Sequence, residues 1–114
     1  MARGLGEFEQ LLLFAVLRLG NHAYGVRIRQ EIASQTGKNV AAGAVYTGLD
    51  RLQARGFVSS EEAEAPPSRG GRRRKYYRLE PAGALALEAS YTNVHSMAEG
   101  TLEVLRRVAS EAKP

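Results

Sequence analysis

The run Gly70-Gly71-Arg72-Arg73-Arg74-Lys75-Tyr76-Tyr77-Arg78-Leu79 decides how the rest of the chain is read. Residues 74–79 alternate in the period-two manner of a strand and carry the β-favouring tyrosines. Just upstream, Ala63-Glu64-Ala65-Pro66-Pro67-Ser68-Arg69-Gly70-Gly71 is rich in turn formers that suit neither helix nor strand. Residues 57–62 fit a short strand, so the two strands and their connection predict a hairpin with an extended tip. Between positions 69 and 78 lie six basic residues (Arg69, Arg72, Arg73, Arg74, Lys75 and Arg78) and no acidic one. The whole chain has 16 basic and 12 acidic residues; without these six, ten basic residues face the 12 acidic ones. The protein is thus a mildly acidic body bearing one concentrated cationic element, a layout suited to a polyanion met at a defined place. Paired glycines let the backbone approach a phosphate closely, and arginines supply forked, charged donors. Such contacts position a protein on a nucleic acid without reading sequence.

Upstream of the hairpin three amphipathic helices are predicted. In residues 8–19 the apolar positions Phe8, Leu11, Leu12, Ala15, Val16 and Leu19 follow the i, i+3, i+4, i+7 rule, while Leu13 and Leu17 lie on the other side. That width of apolar surface suggests a helix packed on two faces, one toward its own domain and one toward a partner chain. Gly20 and Asn21 end it. A second helix spans residues 24–35 and closes at Thr36 and Gly37. The third spans residues 41–55, with Val45, Leu49 and Leu52 inward and Gly43, Thr47, Asp50, Arg51 and Ala54 outward, Tyr46 standing to one side. An outward face of Gly, Thr and Ala is small and flat, as a surface approaching another backbone would be. Downstream, Pro81 suits a first helical position, and residues 81–109 read as helical, long enough for one helix, with a bend near Ser90 or Gly100 left open by the sequence. Its stripe Leu87, Tyr91, Val94, Ala98, Thr101, Leu105 and Val108 is spaced 4-3-4-3-4-3, close to a coiled-coil seam that needs a partner.

Several classes of function are set aside. The chain of 114 residues fits one domain with an appended element, divided here into residues 1–79 and 80–114. Hydrophobic residues at 44% and charged residues at 25% match soluble globular proteins rather than disordered or membrane ones. The longest apolar run, residues 11–16, falls far short of a membrane span, and residues 1–9 carry no signal-peptide pattern, so a cytoplasmic location is expected. Cysteine is absent. His22 and His95 stand apart from other ligands, so neither a metal nor another cofactor is expected. No phosphate-cradling loop, nucleophile elbow or Ser-His-acid set is present, and enzymatic activity is not expected.

Helix, helix, helix, strand, basic loop, strand is the order of a winged helix-turn-helix domain, in which the third helix enters the major groove and the hairpin reaches neighbouring phosphates. The fold predicted is therefore mainly α with a small β-hairpin: a winged helix-turn-helix domain followed by a long C-terminal dimerisation helix. The expected partner is double-stranded DNA. Gly43, Tyr46, Thr47 and Arg51 would meet the groove, and Gly70, Gly71, Arg72, Arg73, Arg74, Lys75 and Tyr76 the backbone. Two readings compete with this one. A winged interaction or ligand-binding module without specific DNA binding draws support from Glu61, Glu62 and Glu64, which partly neutralise the cationic tip. An RNA-binding role fits less well, because Tyr76 and Tyr77 on one strand point to opposite faces and form no stacking platform.

Tyr24-Gly25-Val26-Arg27-Ile28, Gly43-Ala44-Val45-Tyr46 with Leu49 and Leu52, Gly56-Phe57-Val58, the run from Gly70 to Leu79 and Pro81-Ala82-Gly83 together resemble the PadR family of transcription regulators. The resemblance covers residues 11–87. It implies a repressor-like homodimer on a roughly palindromic operator, joined through the C-terminal helix with help from the first. Its short tail looks like the small subfamily with a single C-terminal helix. Leu13, Leu17, Leu87, Tyr91, Val94, Ala98, Leu105 and Val108 are the expected dimer contacts. The resemblance also implies a small hydrophobic or aromatic effector near the interface, where Leu13, Leu17, Tyr91, Val94 and Met97 are candidate lining. Ala42 and Thr47 stand where members commonly carry proline. Gly48, inside the third helix, costs about 1 kcal/mol relative to Ala.

Overall fold

A computed structural model describes residues 4–64 and 73–112. In chain order it places α1 (Glu7–Leu19), a 3₁₀ turn (Gly20–His22), α2 (Gly25–Thr36), α3 (Ala42–Ala54), β1 (Val58–Glu64), β2 (Arg73–Leu79), α4 (Pro81–Ala98) and α5 (Leu102–Ala109). This is the mainly helical winged arrangement expected, and the ends of the first three helices lie within two residues of the predicted ones.

The core follows from the helical periodicities. Leu12, Ala15 and Val16 of α1, Ile28 and Ile32 of α2, and Val45, Leu49 and Leu52 of α3 are all buried, joined by Val58, Tyr77 and Leu87. Local chemistry sets the helix ends. The Gly6 N–H donates to Glu9 Oε1 at 3.0 Å, which satisfies one of the free amides at the start of α1. At the end of α2 the Gly37 N–H donates to the Ala33 carbonyl at 2.8 Å. Ion pairs fasten α1 to its neighbours, among them Arg18 Nε to Glu31 Oε2 at 2.8 Å, Lys38 Nζ to Glu7 Oε1 at 2.7 Å and Arg55 Nη1 to Glu9 Oε2 at 3.4 Å. The Arg18 hydrogen bond holds the Glu31 carboxyl below the usual carboxylate range, and Lys38 does the same for Glu7.

Two expectations are corrected, and the continuity of the C-terminal helix, open from the sequence, is decided. Leu13, predicted to face a partner chain, is completely buried, because α1 runs through the middle of the protomer and meets α2, α3, α4 and β2 together. The strand β1 extends through Ala63 and Glu64, which pair with Arg74 and Arg73 although the sequence assigns them to the turn-rich loop. Of the alternatives left open for the C-terminal stretch, the structure has the break near Gly100, giving two helices. Gly100 adopts φ +77°, a left-handed conformation that ends α4, and the Thr101 N–H turns back to the Ala98 carbonyl at 3.0 Å before α5 begins.

Candidate nucleic-acid interface

The third helix presents the face its sequence predicts. Gly43, Thr47, Asp50, Arg51 and Ala54 are exposed, and Tyr46 stands at 45% exposure. Arg29 Nε donates to the Val40 carbonyl at 2.6 Å, tying α2 to the turn that aims α3. Gly48 has a packing role the sequence hides. A Cβ there would stand 2.5 Å from Leu12 Cδ1 and 3.3 Å from Phe8 Cε2, so its absence lets α3 close against α1.

The hairpin leans on this helix and on the body. Ser60 Oγ donates to Gln53 Oε1 at 3.0 Å and Ser59 Oγ to Glu80 Oε2 at 2.7 Å, holding the start of β1 between α3 and α4. The Tyr77 N–H donates to the Ala23 carbonyl at 2.8 Å, and Tyr24 bridges Tyr76, so the residues ahead of α2 lie along the free edge of β2. Buried Tyr77 is the pivot of the sheet. Its desolvation, with the negative charge of Asp50 and then Tyr46 adding to it, pushes its hydroxyl up to about 12.

Strand register sorts the basic residues. Arg73 lies across from Glu64 and Lys75 from Glu62, whereas Arg74 lies across from Ala63 and Arg78 from Ser59. Side chains alternate between faces along a strand. One face of the stem thus carries opposite charges in register, and the other carries Arg74 and Arg78 opposite small residues with Glu61 across from Tyr76 between them. Arg73 and Lys75 are exposed, Arg74 and Tyr76 half-buried. Gly70, Gly71 and Arg72 lie outside the described residues. Tyr24 is not among the predicted site residues, yet its ring lies under the Arg74 guanidinium, 4.0 Å from Cζ, and meets Tyr76 edge-on at 5.5 Å. The one local hint is a tyrosine at a helix N-cap, a position that favours Ser, Thr, Asp or Asn.

Comparison with known proteins bears on this arrangement directly. The Transcriptional regulator PadR-like family matches residues 13–89, which take in half of α1, all of α2 and α3, the hairpin and the start of α4. The chain belongs to this family. The PadR-like chain is 34% identical over 82 residues to Transcriptional regulator Rv3488 of Mycobacterium tuberculosis, an alignment covering 72% of each protein. A crystal structure of a PadR family transcriptional regulator from Eggerthella lenta superposes with a TM-score of 0.66 at 25% identity, covering 87% of this chain and 86% of that one. A PadR family regulator from Clostridium difficile gives a TM-score of 0.66 at 23% identity, covering 86% of this chain and 98% of that one, a likeness of fold. Membership implies regulation of transcription through DNA binding.

The expected dimer residues of this PadR-like chain divide between core and surface. Leu13 and Leu87 belong to the protomer's own core, Leu13 with no exposed surface, while Leu87 also lines the hollow between α1 and α4. Leu17, Tyr91, Val94, Leu105 and Val108 are each more than half exposed, as are Met97 and Leu102. Ala98 is exposed as well. Of the candidate effector lining, Leu17 and Tyr91 meet with Phe14 and Leu79 around a shallow apolar hollow of about 180 Å³ between α1 and α4. A larger groove of about 530 Å³ separates the end of α1 from the hairpin, with Leu17, Asn21, Glu61 and Arg78 on its walls. No helix of the described residues is long and apolar enough to cross a membrane.

Proposed function

We propose that this PadR-like regulator is a homodimeric repressor that recognises a roughly palindromic operator. In this reading α3 lies in the major groove with Gly43, Tyr46, Thr47 and Arg51 toward base edges, and Arg72, Arg73, Arg74 and Lys75 anchor phosphates beside it. The two copies of α3 in a dimer would sit about 34 Å apart or a multiple of it, one helical turn of B-DNA. The observation that carries the proposal is the exposed, small-residue face of α3 standing in the same domain as a cationic hairpin. The many large apolar residues left exposed on α4 and α5 support pairing of two copies, since exposed apolar surface of this extent favours an interface. The hollow at Phe14, Leu17 and Tyr91 supports release by a small aromatic or otherwise hydrophobic compound.

The test is a titration of the purified protein against genomic promoter fragments, its own included, with scrambled duplex as competitor at physiological salt. Retention of one fragment under competitor is the expected result. Binding that competitor abolishes for every fragment argues against an operator-specific repressor, and binding without any salt dependence favours the interaction-module reading. Replacing Arg72, Arg73 and Arg74 together by Ala is expected to weaken binding to every sequence alike. It should also flatten the dependence of log K on log salt by roughly 0.9 for each phosphate that is no longer neutralised.

A further inference from the structure

Within the reading of the hairpin as a phosphate-contacting element, on which this inference rests, the basic residues of β2 are not equivalent. Glu64 stands across from Arg73 and Glu62 across from Lys75 in the strand register, so a carboxylate lies opposite each of these two cations, although neither cation closes an ion pair with it. A carboxylate directly across an antiparallel pair lowers the local positive potential that a phosphate would meet there. Arg74 faces Ala63 instead and is held from the other side of the strand by the Tyr24 ring, with Cζ 4.0 Å from the ring centroid. An unrestrained arginine loses much rotamer freedom when it settles on one phosphate, while a guanidinium already stacked on an aromatic face has lost part of that freedom in advance.

Tyr24 is itself well fixed. It bridges Tyr76 in the sheet, its ring meets the Tyr76 ring edge-on at 5.5 Å, and the neighbouring Ala23 carbonyl accepts from the Tyr77 N–H. On its other side comes Gly25, whose missing Cβ leaves the space that the Tyr46 ring occupies. Arg74, Tyr24, Gly25 and Tyr46 therefore form one continuous path from the hairpin stem to the exposed face of α3. We infer that Tyr24 is a positioning residue that holds Arg74 as the hairpin stem's principal phosphate anchor and sets its place relative to the recognition helix.

The experiment is fluorescence anisotropy with a mixed-sequence duplex of about three helical turns, reading affinity across salt from about 50 to 200 mM for wild type, R74A, Y24L, Y24F and the double variant Y24L/R74A. One neutralised phosphate accounts for roughly a threefold fall in affinity over that range for each protomer engaged, and a variant that gives it up escapes that part of the fall. Y24L and R74A are expected to lower the slope equally, the double variant to lower it no further, and Y24F, which keeps the ring, to match wild type. A merely structural role for Tyr24 would move the melting temperature without moving the slope. An unchanged slope in Y24L, or a further drop in the double variant, overturns the inference. If Y24L does not fold, the NMR shifts of the Arg74 δ protons decide: displacement upfield by the ring in wild type and Y24F supports the stack, and ordinary positions overturn it. A wild-type protein that binds no duplex overturns the DNA reading itself, and the inference with it.

Discussion

A Cβ at position 48 would stand 2.5 Å from Leu12 Cδ1, and Leu12 has no exposed surface into which to retreat. The cost of a mid-helix glycine, about 1 kcal/mol against alanine, is thus the condition for α3 to approach α1. Overpacking a filled core costs about 1 to 3 kcal/mol, more than the helix propensity gained, so Gly48→Ala is expected to lower stability by about 1 kcal/mol. A lower urea midpoint with an unchanged m-value is the check. Tyr77 makes a second prediction at this scale. In the unfolded chain its hydroxyl ionises near 10, while in the folded protein burial and Asp50 push it up to about 12. The neutral form is the one favoured by folding, so the contribution is complete below pH 10, shrinks as pH rises past it and is gone above pH 12. The loss over that window is on the order of 3 kcal/mol. Equilibrium denaturation at pH 9 to 12 should show this fall in wild type and a shallower one in Tyr77→Phe.

Among the elements, α3 and its neighbours show how far periodicity carries. Val45, Leu49 and Leu52 point inward as their spacing dictates, because one helix has one face toward one core. The same spacing misassigns Leu13, since α1 is enclosed on several sides and the pattern alone cannot tell that Leu13 is covered while Leu17 one turn on is exposed. The C-terminal stripe from Leu87 to Val108 runs through Gly100 without a change of spacing, and only the left-handed turn there divides it. The consequence is a separate α5 whose Leu102, Val104, Leu105 and Val108 are all about half exposed or more. Leu105→Glu would put a charge on that face. If α5 packs on a second copy, burying each Leu contributes about 1.5 to 3 kcal/mol, and each dimer carries the change twice. Sedimentation equilibrium is then expected to show association weakened on the order of a hundredfold, with the protomer fold intact by circular dichroism.

As a whole, the protomer is flat, 53 × 37 × 20 Å, with its core under α1 to α3 and most of its large exposed apolar residues along α4 and α5. A chain of this size buries a modest share of its surface, so pairing, as proposed, would add stability to the single core. The melting temperature is expected to rise with protein concentration, as mass action requires when the folded state is the one that associates, and to lose that dependence in Leu105→Glu. A concentration-independent melting temperature in wild type would count against the homodimer. The charge distribution acts at the same scale. In the proposed reading the cationic segment is what would draw the molecule to a polyanion, with Glu62 and Glu64 across from Lys75 and Arg73 on β1.

Much of this is written in the sequence alone. The order of elements, the inward residues of α3, the hairpin and its cationic run follow from local rules: a turn of helix, a step of strand, a run of like charge. What the sequence does not declare are relations between residues far apart along the chain. Tyr24 and Arg74 are separated by the whole of α2, α3 and β1, and they meet because the segment before α2 lies along the edge of β2. Gly48 reads as a defect until Leu12 stands over it, and Leu13 reads as a surface residue until the neighbouring elements close around α1. Local patterns arise from the geometry of neighbouring residues, whereas burial and pairing across the fold depend on every element that happens to share the space.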